Sequence, residues 1–150
     1  MKFYFTKPKK NKILIYDSHS LDFAKILFKK KPLSILNRRF ESINLFVLFF
    51  TLYKNILSFN LNLRNIVNQY KINYIKFVSP AIIYTSIYND LGFFKLKSFY
   101  PNAKYIADQN GLRDPDFFRQ LKKNKRESIL KIDHFFVFNK HDSNFLMKYI

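Results

Sequence analysis

The chain has 150 residues, 48% of them apolar and 25% charged, a balance that supports one ordinary hydrophobic core and excludes an intrinsically disordered chain. It has no cysteine, which excludes a disulfide framework and any thiolate metal site and permits a reducing compartment. The formal net charge of +17 turns attention to polyanions, yet lysine far outnumbers arginine, whereas specific readout of phosphates and bases leans on the planar arginine fork.

The N-terminal lead, MKFYFTKPKKNK, is basic but has no apolar core and no small-residue cleavage site, so it does not read as a signal peptide and a cytoplasmic protein is expected. Ile13–Tyr16 is a compact strand that ends in a polar turn, Asp17, Ser18, His19 and Ser20. Ser20 or Asp22 is expected to cap a helix that runs through Phe28 into Lys29–Lys31, where basic residues suit the dipole and Pro32 stops it. Leu33–Leu36 is a second strand, so the order βαβ predicts a parallel pair. Between Ile43 and Leu57 the apolar content is too continuous for a clear period, and length favours a helix. The Leu45–Leu52 run (LFVLFFTL) is far short of the roughly 20 residues a membrane span needs.

A further helix is expected over Asn60–Phe77, with Asn60 as its cap and Pro80 beyond its end, returning the chain to a strand at Ala81–Thr85. A short helix follows over Gly92–Phe99, and Ala103–Ala107 is the next strand. Asn110 and Gly111 form a turn, since both tolerate positive φ. Asp114, Pro115 and Asp116 read as the capped start of a helix to Leu121, which explains the D-x-D spacing without a metal. His134–Phe138 is a fifth strand, and Asp142 or Ser143 caps a last helix. The whole, residues 1–150, is expected to be a single three-layer Rossmann-like α/β domain with a mostly parallel sheet of about five or six strands.

In open α/β sheets ligands bind outside the carboxyl ends of the strands. That rule selects Asp17, Ser18 and His19 after the first strand, Arg38 after the second, and Thr85, Ser86, Asn89 and Asp90 after the third. Gln109, Asn110, Gly111 and Arg113 follow the fourth. The hydroxyl-bearing, amide and acidic side chains Thr85, Ser86, Asn89, Asp90, Asp108, Gln109 and Asn110 suit hydroxyl-rich or neutral polar ligands better than phosphate. His19 and Asp90 are the candidate bases, and Arg38 either holds an anionic group or pairs with Glu41. His134, beside Asp133 at a strand start, reads as structural. Gln109 is read as an open loop residue whose change to alanine leaves the fold nearly intact. The first turn, DSHSLD, lacks the glycines a dinucleotide needs, and P-loop, G-x-S-x-G and H-E-x-x-H patterns are absent. No cofactor and no metal are expected.

The charge has a plainer source as well. Phe, Ile, Lys, Asn and Tyr make up more than half of the chain, as an A/T-rich genome would produce. No specific nucleic acid partner is expected, and peripheral contact with an anionic membrane is the functional alternative.

The stretches ILIYD, RRFESINL, YIKFVSPAIIYTSIYND, NAKYIADQNGLR and DHFFVFNKHDSNFLMKYI together resemble the N-terminal half of bacterial surface carbohydrate biosynthesis proteins, related to the lipopolysaccharide transferases of glycosyltransferase-B type. The resemblance implies the acceptor-side half of a two-domain transferase that moves a sugar from a nucleotide sugar to a glycan or lipid-linked acceptor. The donor would be held mainly by a C-terminal domain outside these 150 residues. It also implies that Asn89, Asp90, Gln109, Asn110, Gly111 and Arg113 line the interdomain cleft. The alternative is a non-catalytic α/β domain that binds a glycan or a partner.

Overall fold

The computed structural model describes residues 1–29, 31–37, 39–59, 62–86, 90–109 and 131–146. Five parallel strands form the main sheet in the order β3-β2-β5-β6-β7. They are β2 (Ile13–Tyr16), β3 (Ser34–Leu36), β5 (Ile82–Thr85), β6 (Lys104–Asp108) and β7 (His134–Phe136). Two further strands, β1 (Lys2–Tyr4) and β4 (Ser42–Asn44), pair in parallel as a separate ribbon. Helices α1 (Leu21–Phe28), α2 (Leu45–Leu57), α3 (Leu63–Val78), α4 (Leu91–Phe99) and α5 (Lys140–Leu146) complete the described elements. This is the expected three-layer, Rossmann-like α/β domain, with a sheet that is parallel at every described pairing.

The layers follow from side-chain alternation along the strands. Leu14 and Tyr16 of β2, Ile83 of β5, and Tyr105 and Ala107 of β6 face α3 and α4, meeting Ile72, Ile75, Val78, Phe93 and Leu96. Ile13, Ile15 and Tyr84 point the other way, against Ala24 and Phe28 of α1. All of β2 is buried, as a central parallel strand must be, whereas the edge strand β7 is mostly exposed. The α2 helix lies outside α3. Phe46 and Phe50 pack edge-on against Phe77, and Asn73 Nδ2 donates to Thr51 Oγ1 at 3.0 Å across the seam.

Several expected boundaries shift. The Ile43–Leu57 helix begins only at Leu45, because Asn44 ends β4 and caps α2 by accepting from the Val47 N–H. Asn62, not Asn60, caps α3 through the N–H groups of Arg64 and Asn65. The last helix is capped by Asn139, whose Oδ1 accepts from the Asp142 N–H at 2.8 Å, and not by Asp142 or Ser143. Ser20 makes no cap bond to α1, which instead follows a 3-10 turn at Ser18–Ser20. The fifth strand stops at Phe136. The helix expected over Asp114–Leu121 lies outside the described residues.

At the amino ends of β6 and β7, Asp133 acts as a clamp. Its Oδ2 accepts from the Tyr105 N–H at 2.7 Å, its own N–H donates to Tyr105 O at 3.0 Å, and its other oxygen accepts from Lys97 of α4. The structural reading of this strand start therefore fits the geometry. Burial opposes the Asp133 charge, but Lys97 and the Tyr105 N–H outweigh it and hold the carboxyl below its ordinary range. A carboxylate with a depressed folded pKa stabilises the fold above its unfolded value, about 3.9, and that contribution fades as pH falls through the folded value. Asp133→Asn is thus expected to lower stability at pH 7 by up to about 1 kcal/mol, the scale of a solvent-screened pair. In urea titrations the gap from the unchanged protein should close below about pH 3.9. An undiminished gap at pH 3 would mean that shape, not charge, makes the clamp.

Candidate functional site

Numbered within the sheet alone, the strand order is 2-1-3-4-5, and it reverses direction between β2 and β5. Such a switch point opens a crevice at the carboxyl ends, because the chain leaves the two strands towards opposite faces. The residues that follow β2 and β5 meet there.

Asp17 is the first residue beyond β2. It is 1% exposed and has φ 85°, a backbone region that favours glycine and costs other residues strain. Its N–H is held by Leu36 O at 2.9 Å, and its Oδ1 accepts the His19 N–H at 3.1 Å, which winds the 3-10 turn. Its Oδ2 is buried with no hydrogen-bond partner among the described residues. A buried oxygen of this kind costs the fold about 1–3 kcal/mol relative to a satisfied one.

Two serines close the gap between the strands. Ser20 Oγ accepts from both the Ser86 N–H (2.8 Å) and Ser86 Oγ (2.9 Å), while Thr85 Oγ1 donates to Tyr16 O at 3.1 Å. Deeper in, the fully buried Tyr16 donates its hydroxyl to Asp90 Oδ2 at 2.7 Å and receives Lys71 Nζ at 3.4 Å. Asp90 Oδ1 accepts the Gly92 N–H, so the same carboxylate caps α4.

The loop after β3 folds over this edge. Arg39 Nη1 lies 2.8 Å from His19 Nε2, and Ser18 Oγ donates to Glu41 Oε2 at 2.5 Å. A guanidinium has only donors, so His19 Nε2 is the acceptor and the proton of the neutral ring sits on Nδ1. Among the described residues, Glu41 accepts from Ser18 and Arg39 meets His19. Arg38 itself lies outside the described residues, as do Asn89, Asn110, Gly111 and Arg113.

On the far side of β5 the described polar side chains of the carboxyl edge bond to one another. Tyr84 OH donates to Asp108 Oδ1 at 2.6 Å, and burial raises the Asp108 pKa, an effect the Tyr84 bond partly offsets. Gln109 is 3% exposed, not an open loop residue. Its Nε2 donates to Asp142 Oδ2 (2.7 Å), its Oε1 accepts the Phe138 N–H (3.1 Å), and its N–H donates to Phe136 O (2.9 Å). Those bonds fasten the end of β6 to the end of β7 and the start of α5. The expectation that its loss leaves the fold intact is therefore corrected.

Of the described candidates, the structure gathers Asp17, Ser18, His19 and Asp90 at the switch point and sets Gln109 apart, beyond β6. Sequence reasoning overlooked Tyr16, Ser20, Arg39 and Lys71 as members of this edge. Tyr16 stands in an apolar strand and Lys71 inside a helical pattern, and nothing in the sequence singles out Arg39 to reach His19. No family model, no curated protein and no solved structure matches the chain.

Gln109→Ala is expected to cost about 1–3 kcal/mol, since it strips a partner from the buried Asp142 and from a backbone N–H together. Urea unfolding measures it. A loss below about 0.5 kcal/mol, the ordinary surface value, would return Gln109 to the loop reading.

Proposed function

We propose that this domain binds the hydroxyl-bearing acceptor of a glycosyl transfer in surface-glycan biosynthesis, as the resemblance implies, with the nucleotide-sugar donor held by a further domain. The observation that carries the reading is Asp17: a buried carboxylate with one oxygen unpartnered, held on strained backbone at the switch point of a doubly wound sheet. Strain of this kind persists where the surroundings enforce it and clusters at functional sites. A carboxylate oxygen accepts hydrogen bonds only, so its natural complement is a neutral donor such as a sugar hydroxyl.

In the transfer, the acceptor oxygen bonds to the anomeric carbon of the donor while the bond from that carbon to the phosphate oxygen breaks. The nucleoside diphosphate leaves, and the hydroxyl proton goes to His19 Nε2. Arg39 occupies that nitrogen in the resting protein. An anionic donor phosphate competes for the guanidinium, which pairs well with phosphate oxygens, and in doing so frees Nε2. Asp90 positions the edge and does not take the proton, because both of its oxygens already accept hydrogen bonds.

Asp17→Asn tests the reading. The amide removes a buried unpaired charge, so the variant should unfold at equal or higher urea concentration. It should also bind a neutral core oligosaccharide about tenfold more weakly in NMR titration, equivalent to one hydrogen bond of about 1.4 kcal/mol. Unchanged oligosaccharide binding with a clear loss of stability would make Asp17 a scaffold residue and remove the support for an acceptor site.

The same proposal places the domain peripherally on the inner face of the cytoplasmic membrane, and the outer face of α2 supports this. No described helix is long and apolar enough to cross a membrane. Yet Phe49, Tyr53, Ile56 and Leu57, at helical spacing, are each more than half exposed, and Phe49 and Tyr53 line an apolar groove with Phe5, Leu45, Phe46 and Phe50. Exposed apolar patches of this kind mark interaction surfaces. Lys54 Nζ sits 4.7 Å from the centre of the Phe50 ring, and Lys7 Nζ 5.5 Å from that of Phe77, which packs on Phe46 and Phe50. Cations over half-buried rings beside an exposed apolar face suit an anionic lipid interface, and the +17 charge opposes pairing of two copies through this face. The protein should co-sediment with phosphatidylglycerol-containing vesicles but not with phosphatidylcholine alone, and Phe49→Ser with Tyr53→Ser should abolish it. Equal sedimentation of that double variant would sink the α2 placement.

A further inference from the structure

A second cavity, of about 360 Å³, lies on the outer side of the edge strand β3, away from the switch point. The segment from Tyr4 to Lys9 forms one wall, residues 33–37 of β3 and its flanks form the other, and Ser42, Asn44, Tyr70 and Tyr74 complete it. Its volume falls in the range of small-molecule sites.

We propose that this cavity binds a phosphorylated sugar, a reading that does not rest on the acceptor site. The lining is rich in donors. Lys7 and Lys9 lie in its wall, with Lys7 Nζ over the neighbouring Phe77 ring, and Tyr4, Tyr70 and Tyr74 are the tyrosines of the lining. Tyr70 uses its oxygen to accept the Asn44 N–H at 2.9 Å, which leaves its proton for donation. Burial, followed by the neighbouring Tyr70 and Tyr4, pushes the Tyr74 phenol up to about 12, so it stays a donor at neutral pH. No aspartate or glutamate is among the described lining residues. A lining with two lysines and three phenols and no described carboxylate favours an anion over a cation or a zwitterion, whose ammonium would go unmatched.

One group in the wall asks for the opposite. Asn37 donates its Nδ2 to Ser42 Oγ at 2.6 Å, while its Oδ1 is buried with no partner among the described residues. A bare phosphate ion meets the donors but offers little to this acceptor. A sugar phosphate meets both, with the phosphate towards the lysines and phenols and a hydroxyl donating to Asn37 Oδ1. The tyrosine rings suit the apolar face of the sugar ring.

Isothermal calorimetry at about 150 mM salt, where distant charges are screened, compares glucose 6-phosphate, glucose and inorganic phosphate. Glucose 6-phosphate should bind at least about tenfold more tightly than either of the others. Asn37→Ala should erase that advantage over inorganic phosphate. Lys7→Met with Lys9→Met should weaken the sugar phosphate at least about tenfold, whereas the charge-matched control Lys95→Met with Lys131→Met, at exposed lysines elsewhere, should not. Circular dichroism confirms that each variant is folded, and Tyr74→Phe, which keeps the ring, serves as a second probe should Asn37→Ala unfold. Equal affinity for glucose 6-phosphate and inorganic phosphate, or equal weakening by both lysine pairs, would overturn the proposal and reduce the effect to net charge.

Discussion

The hydroxyl of Tyr16 is the group on which the arrangement of this domain turns. Tyr16 lies at the end of the central strand β2 with its ring fully buried against Phe93, and a phenol in that position must find an acceptor or carry the cost of an unpaired polar group. The acceptor is Asp90. Because Asp90 also caps α4, satisfying the core tyrosine fixes where that helix starts, and Lys71 on α3 joins the same oxygen. One hydrogen-bond centre therefore ties β2, α3 and α4 together at the carboxyl edge. The pattern recurs across the sheet, with Tyr84 donating to Asp108 on the opposite face and Tyr105 to Tyr100 O. The core of this protein is thus anchored through aromatic hydroxyls and not by apolar packing alone.

That anchoring divides the carboxyl edge into two parts with different chemistry. Beyond β6 the described polar groups Gln109, Asp142 and Asn139 bond to one another around the end of β7. At the switch point the bonds of Tyr16, Ser20 and Thr85 hold β2 to β5 and the turn to both, and that firm surround enforces the positive φ of Asp17 while its buried Oδ2 stays unmatched among the described residues. Strain is tolerated where the neighbouring bonds over-determine the backbone. The distribution of spent and unspent polar groups, more than residue type, distinguishes scaffold from site.

The sheet was legible in the sequence because central parallel strands are buried on both faces and read as short apolar runs that stop at polar turns. ILIY, IIYT and KYIAD have that form, and each observed strand falls within about a residue of its expectation except at the C-terminal end of β7. The β1–β4 ribbon was not legible. Each strand has three residues, and pairing Lys2 with Ser42 is a long-range event that leaves no local period. Gln109 misled for a related reason. Its position after a strand end is that of a ligand-facing loop residue, and only the return of β7 and α5 decides that its amide turns inward. The outward apolar face of α2 was hidden in the opposite sense, since a helix that is apolar on both sides has no period by which to tell its buried side from its exposed one.

The ribbon also explains why a cavity lies beside β3. A parallel sheet ends in strands whose outer backbone groups invite pairing with another chain, and folds cover such edges to prevent it. Here the covering element lies alongside β3 without joining it: β4 is tethered through Ser42 to Asn37, and its Asn44 N–H goes to Tyr70 OH where a strand partner would otherwise accept it. Pairing β4 directly with β3 would have extended the sheet and left no space. Holding it off with side-chain bonds protects the edge and leaves a lined gap of about 360 Å³. The loop that carries Asn37 on the gap side carries Arg39 and Glu41 on the switch-point side, where they meet His19 and Ser18. Asn37 on one side and Arg39 with Glu41 on the other therefore set the two polar regions back to back across the end of β3.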